Sequence, residues 1–366
     1  MIKRFEVSGY KNFKDKMVLD FSNTANYKFN NDCLMDGFIG KMIIYGRNSV
    51  GKTNFCKALC DITDGFTNYS NRSIDAPYDE TYLNAEITHD YAKFVYVFQF
   101  GDNEVTYTYH RNQYLNLIYE KMMINSSVFF VYDHNNPSIN DLEEVIKIAP
   151  TLNLEDLKIY SILEYIYNNI KVDKEHPLVK TYKFSQRMYG NTNAESFLSE
   201  KTPVNKTLLE EENLKEFKNL LRDAGISDDV VILDDNDGQK RLYFNTSPPL
   251  LFTKVASSGT KNLLLFFLFY KVIAKIEIPF FCIDEFDAFY HFELAEHILN
   301  LIKKLDKTQF IITSHNTNLL SNKLMRPDTA FILTGNTISS LADSTNRELR
   351  EGHNLAKLYM SGEFDE

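Results

Sequence analysis

The stretch IIYGRNSVGKTN at residues 43–54 decides the fold of this chain. It places Gly46 ahead of Gly51, Lys52 and Thr53 with the spacing of a phosphate-binding loop. An apolar run precedes the loop and KTNFCKALCDI follows with helical spacing, so we predict a strand, a loop and a helix. In such a loop, backbone N–H groups surround phosphates, the lysine reaches the β- and γ-phosphates and the threonine hydroxyl binds Mg²⁺. The predicted nucleotide-binding residues are Gly46, Arg47, Asn48, Ser49, Val50, Gly51, Lys52, Thr53 and Asn54.

Overall composition is that of a globular protein. The 366 residues are 44% hydrophobic and 25% charged, which supplies a large core. The net charge of −10 excludes a polycation that wraps nucleic acid, although a local basic face stays compatible with that total. The chain therefore has enough residues for one large domain or two smaller ones.

The four cysteines are Cys33, Cys56, Cys60 and Cys282. Cys56 and Cys60 stand one helical turn apart, which could suit a metal ion, but no nearby histidine or cysteine completes a tetrahedral set. We therefore predict buried thiols in a reducing compartment.

Membrane signals are weak in this sequence. The opening MIKRFEVSGY lacks the apolar centre of a signal peptide and predicts a strand. The most apolar run, LLLFFLFYKVIA at 263–274, is too short to span a bilayer and contains Lys271, so it predicts a buried helix. We expect a cytoplasmic protein without a membrane partner.

Secondary-structure patterns change twice along the chain. Residues 1–136 alternate as paired strands around the phosphate-binding loop, with a hairpin at Gly101-Asp102-Asn103. Residues 137–229 have helical periodicity, and 230–366 begin with a hairpin and continue as alternating helices and strands. These patterns predict a nucleotide-binding half with a β-subdomain (1–136), a helical insertion (137–229) and a second half (230–366) with a largely parallel sheet.

Two apolar strands in the second half end in polar residues suited to triphosphate chemistry. IPFFCIDEFD delivers Asp284 and Glu285, which we predict to hold Mg²⁺ and to act as general base or orient water, respectively. FIITSHNTN delivers His315, which can hydrogen-bond the γ-phosphate. The predicted catalytic set is Lys52, Glu285 and His315, and the predicted metal ligands are Thr53 and Asp284.

VASSGTKNLLLF at 255–266 places two serines and a glycine before a long apolar helix. Small residues permit close backbone approach, and a helix N-terminus offers donors to an anion. Because the chain already has one phosphate-binding loop, we expect this second site to contact ATP held by another copy. Its residues are Ser257, Ser258, Gly259, Thr260 and Lys261.

These four motifs, in this order, resemble those of ABC-type ATPase heads in the soluble branch that includes SMC, RecF and OLD proteins. The early GYKNFKD resembles that branch's N-terminal strand motif, and SSGTK and the C-terminal LREGHNLAKLYMSGEF resemble segments of ATPase subunits from bacterial abortive-infection and anti-phage systems. The resemblance implies an α/β ATPase head with an antiparallel β-subdomain and a helical insertion, which binds ATP and Mg²⁺. It also implies two copies that enclose two ATP molecules, with Asp287 in the loop that couples the two sites.

One feature departs from that branch. Its members usually have a Mg²⁺-sensing glutamine after the β-subdomain, whereas this chain has FFVYDHNN there. Gln99 lies inside a predicted strand and is better explained as structural. The residue that senses Mg²⁺ and the rate of turnover therefore stay open.

Three functions compete. The leading hypothesis is an ATPase whose nucleotide-driven dimerisation regulates a partner, namely a separate effector such as a nuclease or toxin in an anti-phage complex. The second is a RecF-like clamp that binds DNA in repair; the chain has 40 basic residues but no dense basic run. The third is a scaffold that ATP stabilises with little turnover, which the missing glutamine favours and the intact Asp284-Glu285 pair opposes.

Overall fold

The computed structural model describes residues 1–65, 79–153, 155, 157, 160–191, 206–286, 292–335 and 337–364. Its strands, in chain order, are β1 (Ile2–Ser8), β2 (Met17–Asp20), β3 (Leu34–Met35), β4 (Phe38–Ile39), β5 (Lys41–Tyr45), β6 (Ala92–Phe100), β7 (Asn103–Arg111), β8 (Leu117–Ile124), β9 (Ser127–Asp133), β10 (Met188–Asn191), β11 (Val230–Asp234), β12 (Lys240–Phe244), β13 (Leu250–Leu251), β14 (Phe280–Ile283), β15 (Gln309–Ser314), β16 (Ala330–Leu333) and β17 (Ile338–Ser340).

The α-helices are α1 (Lys52–Cys60), α2 (Ile62–Gly65), α3 (Glu143–Ile148), α4 (Ile162–Asn169), α5 (Pro177–Ser185), α6 (Lys206–Leu209), α7 (Glu211–Asp223), α8 (Phe252–Val255), α9 (Ser258–Ile276), α10 (Phe292–Lys303) and α11 (Leu355–Met360). The apolar run at 263–274 thus lies inside α9, as predicted. Within the described residues, no helix is both long and apolar enough to cross a membrane.

The central sheet has the order β10-β14-β15-β5-β16-β17. Its strands from β10 to β16 pair in parallel and β17 joins as an antiparallel edge, which confirms the predicted largely parallel sheet. β15 lies between β14 and β5, so the strand before Asp284 and the strand before the phosphate-binding loop flank the strand that leads to His315. The carboxyl ends of parallel strands meet at one edge, where ligands bind in open α/β sheets.

The β-subdomain is an antiparallel sheet with the order β2-β1-β6-β7-β8-β9. Phe100 pairs with Asn103, so β6 and β7 form the predicted hairpin. Buried Gln309 joins the two sheets, because its Oε1 accepts from Ile2 N at 2.6 Å and its Nε2 donates to Ile2 O at 2.9 Å.

Two hydrophobic clusters cover the two faces of the central sheet. On β5, Met42 and Ile44 belong to the cluster shared with the β-subdomain and α1. Ile43 and Tyr45 belong to the cluster shared with α7, α9 and α10. Because successive side chains of a strand point to opposite faces, a strand buried on both sides must be apolar throughout. This explains the apolar character of IIY ahead of the loop.

Residues 137–229 differ from the prediction in one respect. They contain the predicted helices, but Met188–Asn191 forms β10, which pairs in parallel with β14 in the central sheet. This strand was not among the predicted elements of the range. MYGN is short and has no period of its own, since its strand conformation comes from pairing with a neighbour that is distant in sequence. The division at 136 and 229 stays a prediction.

Thiols occupy the interior as expected. Cys33, Cys56 and Cys282 are buried and Cys60 is half-buried, and all four are free. Across the described residues, no group of three or more histidine, cysteine or acidic side chains is arranged to hold a metal ion. The burial of Cys33, Cys56 and Cys282 agrees with the predicted buried thiols.

Candidate functional site

The phosphate-binding loop connects β5 to α1 and contains two glycines. Any other residue at either position would force neighbouring atoms to move. Gly51 precedes the first residue of α1 with φ of 104°, and a Cβ there would lie 2.2 Å from Asn12 Nδ2. A Cβ on Gly46 would lie 2.6 Å from the carbonyl oxygen of Leu333. The loop therefore needs glycine both for its backbone conformation and for the close approach of its neighbours.

The side chains of Lys52 and His315 contact each other beside the phosphate-binding loop. The Lys52 side chain is only 5% exposed, and its Nζ donates to Gly46 O at 2.8 Å and Arg47 O at 3.1 Å. His315 Nδ1 lies 3.3 Å from the same Nζ. An ammonium group has only donors, so Nδ1 is the acceptor and the remaining ring proton is on Nε2. The structure thus brings together two of the predicted catalytic residues.

Thr53 and Asp284 form the second contact across the site. Asp284 directly follows β14, and its Oδ2 accepts a hydrogen bond from Thr53 Oγ1 at 2.5 Å. A hydroxyl and a carboxylate are the hard oxygen groups that Mg²⁺ prefers, and Mg²⁺ usually takes its other ligands from substrate phosphates and water. The donor set therefore fits the predicted metal without a closed cage of protein ligands.

Glu285 lies next to that pair with an unusual backbone. It is exposed and has φ of 49°, the left-handed region that residues with a Cβ rarely adopt. Its backbone N–H donates to Thr313 Oγ1 at 2.9 Å, and that hydroxyl donates to Asp284 Oδ1 at 2.5 Å. Thr313 was not among the residues predicted from sequence, although a polar residue inside the apolar FIITSH was a usable signal.

Asn12 is a second residue that sequence reasoning missed. It lies in the turn between β1 and β2, where its Nδ2 donates to Val50 O at 3.1 Å and its Oδ1 accepts from Asn54 Nδ2 at 2.8 Å. The GYKNFKD motif contains Asn12 but by itself gives this residue no role. Arg47, Asn48 and Ser49 at the loop tip are exposed, so their side chains face solvent while Asn12 supports the loop from its other end.

The SSGTK segment forms the N-terminus of α9. Ser257 caps the helix, because its Oγ accepts from Thr260 N at 3.1 Å and lies 2.8 Å from Thr260 Oγ1. Ser257 and Ser258 are exposed, and Gly259, Thr260 and Lys261 are half-buried. The side chains of Ser257 and Thr260 bond each other, which holds the first turn of α9 together. Asp287, predicted for the coupling loop, lies outside the described residues.

Gln99 has a local role. Its Nε2 donates to Gly101 O at 2.6 Å, at the turn of the β6–β7 hairpin. This contact agrees with the structural interpretation of that glutamine.

Comparison with known families decides the classification. The family model described as "AAA domain, putative AbiEii toxin, Type IV TA system" matches residues 41–321. The chain belongs to this AAA domain family. The matched range begins at the first residue of β5 and ends beyond His315, so it contains the loop, the acidic strand and the SSGTK segment. No curated protein matches the sequence significantly.

Solved structures of SMC heads are similar to this chain. A structure of the SMC head bound to the C-winged helix domain of ScpA matches with a TM-score of 0.52 and 14% identity, over 93% of this chain and 97% of that chain. An Smc head with an extended coiled coil, bound to the C-terminal domain of ScpA derived from Pyrococcus furiosus, matches with a TM-score of 0.46 and 15% identity, over 93% and 97%. The SMC head domain from Thermotoga maritima matches with a TM-score of 0.42 and 16% identity, over 93% and 98%. The first of these similarities supports the fold: an α/β fold like that of an SMC head.

Proposed function

We propose that this chain binds and hydrolyses MgATP, and that ATP-dependent pairing of two copies regulates a partner protein in a bacterial anti-phage defence complex. The observation that carries the proposal is the pair of contacts from Thr53 to Asp284 and from Lys52 to His315. They join the loop of a triphosphate site to a metal-binding acid and to a phosphate-facing histidine. Such a combination has little use except in triphosphate chemistry.

Each residue then has a role. Backbone N–H groups from Asn48 to Thr53 surround the phosphates, and Lys52 exchanges its carbonyl partners for phosphate oxygens. Thr53 and Asp284 would hold Mg²⁺, which when bound neutralises charge on the phosphates. Exposed Glu285 orients the attacking water and takes its proton, while the Nε2–H of His315 is directed at the γ-phosphate.

The pairing of two copies is supported by the position of the SSGTK segment. Its two serines are exposed at the N-terminus of a helix that is 19 residues long, where backbone N–H groups and the helix dipole favour an anion. Gly259 permits close backbone approach to a phosphate. We assign this anion site to ATP held by the second copy, so that closure depends on the γ-phosphate.

The partner is inferred from the family and from a structural relative. The family description refers to a toxin and a Type IV TA system. The SMC head with the similar fold is bound to a domain of another protein, ScpA. By analogy, we assign the toxic or nuclease chemistry to a separate effector that docks on this ATPase head.

The first test is the replacement Glu285→Gln. We expect it to suppress phosphate release and to accumulate an ATP-bound dimer, measured by light scattering after size exclusion with MgATP. Glu293→Gln, at an exposed position of α10, is the matched control and should behave like the parent. Hydrolysis by Glu285→Gln at the parental rate would mean that Glu285 has been assigned wrongly.

Mixing two inactive variants tests whether the site is shared. Lys52→Ala removes the loop lysine, and Ser258→Arg blocks the exposed helix N-terminus. In a mixed dimer, the intact loop of the Ser258→Arg copy faces the intact segment of the Lys52→Ala copy. We expect mixing to restore part of the ATPase activity. No restoration, with mixed dimers verified by two affinity tags, would contradict a site built from two copies.

A further inference from the structure

Thr313 lies beside the two acids that follow β14, and its hydrogen bonds to them connect β15 to that segment. It is fully buried near the end of β15, the strand between β14 and β5. Three consecutive residues after β14 bond to it. Asp284 Oδ1 and Glu285 N contact its hydroxyl at 2.5 and 2.9 Å, and Phe286 N donates to its carbonyl oxygen at 3.0 Å.

The hydroxyl of Thr313 has a different partner in each direction. Its single proton goes to Asp284 Oδ1, and its oxygen accepts the N–H of Glu285. Asp284 uses its other oxygen, Oδ2, for Thr53. The two threonine hydroxyls therefore hold the carboxylate from both sides, one from the nucleotide loop and one from β15.

Glu285 depends most on this contact. A residue with a Cβ keeps a left-handed φ only where its surroundings hold it there, and such residues concentrate at functional sites. The bond from Glu285 N to Thr313 Oγ1 fixes the backbone at that residue, so it also sets the direction in which the exposed carboxylate leaves the chain.

We propose that Thr313 is a positioning residue for ATP hydrolysis: its hydroxyl directs Glu285 and orients Asp284, and it is required for turnover but not for nucleotide binding. This inference rests on the proposed ATPase function. Thr313 acts through the two acids and does not touch the substrate.

The variant Thr313→Val tests it, because valine keeps the volume and the β-branch and removes only the hydroxyl. We expect kcat to fall about 10-fold or more, since misdirected catalytic groups cost at least that much. We expect KM and the Kd for a fluorescent ATP analogue to stay within about threefold of the parent, the pattern of a lost transition-state interaction. Thr313→Ser keeps the hydroxyl and should recover most of kcat.

Thr308→Val is the matched control for a lost buried hydrogen bond. Thr308 is 2% exposed just before the opposite end of β15, and its hydroxyl donates to Ile278 O at 2.6 Å. The Thr308→Val variant should lower Tm about as much as Thr313→Val does, while keeping the parental kcat. An equal loss of kcat in this control, or a Thr313→Ser variant as inactive as Thr313→Val, would show that packing alone matters and would overturn the proposal.

A double variant completes the test. If Thr313 acts mainly through Glu285, adding Thr313→Val to Glu285→Gln should lower the rate by a smaller factor than Thr313→Val does in the parent, because residues that act as a unit are not additive. If Thr313→Val keeps the parental kcat while Glu285→Gln is inactive, the role of Thr313 is overturned and the ATPase proposal is not. A parent that neither binds nor hydrolyses MgATP would overturn the ATPase proposal and this inference with it.

Discussion

Thr53 and Asp284, separated by 231 residues in sequence, are joined by a hydrogen bond of 2.5 Å. Thr53 is the second residue of α1, and Asp284 follows β14, which lies two strands from β5 in the central sheet. The contact therefore joins the ends of two elements on either side of β15.

Replacing the acid tests its role in metal binding. Asp284→Asn keeps an oxygen for the Thr53 hydroxyl but removes the negative charge. We expect the apparent affinity for Mg²⁺ and the ATPase rate to fall by about 10- to 100-fold, the usual cost of losing a supporting metal ligand. The measurement is phosphate release against Mg²⁺ concentration. Nucleotide affinity in EDTA should stay near the parental value, and exposed Asp306→Asn is the control.

Truncating the histidine separates binding from hydrolysis. His315→Ala removes the acceptor beside Lys52 and the N–H assigned to the γ-phosphate. We expect hydrolysis to fall about 10-fold or more while MgATP still binds, because a preorganised donor acts mainly on the transition state. Steady-state kinetics and analogue binding give both values. Exposed His297→Ala should be neutral. A large loss of binding in His315→Ala would instead show that this histidine stabilises bound MgATP in the ground state.

The glycine before α1 offers a geometric test. A Cβ at Gly51 would collide with Asn12 Nδ2 in a backbone whose φ is 104°, so Gly51→Ala should abolish nucleotide binding. Gly37 also has positive φ, 84°, but its Cβ would meet nothing within 4 Å. Gly37→Ala should therefore cost only about 1 kcal/mol of stability and leave binding intact. Calorimetric titration with ATP and thermal unfolding distinguish the two effects. Binding by Gly51→Ala at parental affinity would contradict the assigned loop geometry.

Buried Glu120 predicts how stability depends on pH. Its oxygens accept from Tyr107 OH and Ile162 N, and burial raises the pKa of its carboxyl from 4.5 to about 8. The folded state thus holds the proton more tightly than the unfolded state, so this group's stability contribution is lost as pH rises from about 5 through 8.

Glu120→Gln mimics the protonated form and should flatten that dependence. We expect the Tm of the variant to exceed that of the parent by an amount that grows between pH 6 and about 8.5, measured by thermal scans in matched buffers. Exposed Glu86→Gln should follow the parent at every pH. Parallel pH profiles for Glu120→Gln and the parent would show that the carboxyl is ionised when folded at neutral pH.

Sequence patterns predicted most of the strands and helices, because the patterns that specify them extend over only a few residues. Alternating residues predicted the β6–β7 hairpin, and helical spacing after Gly51 predicted α1. Apolar runs predicted β14, β15 and α9 because a strand or helix with both sides buried has few polar residues. β10 escaped prediction, since four residues at a sheet edge form a strand only through their neighbour.

The sequence by itself determined the loop, the acids at the ends of strands and the order in which they occur, because glycine requirements and hydrophobic periodicity act over a few residues. Only the tertiary structure decided that Asn12 supports the loop, that Lys52 faces His315 Nδ1, and that Thr313 holds Asp284 and Glu285. These are hydrogen bonds between residues far apart in the chain, and they depend on strand order and register. A one-residue shift of β15 would turn Thr313 to the other face of the sheet, so no local pattern could encode the contact.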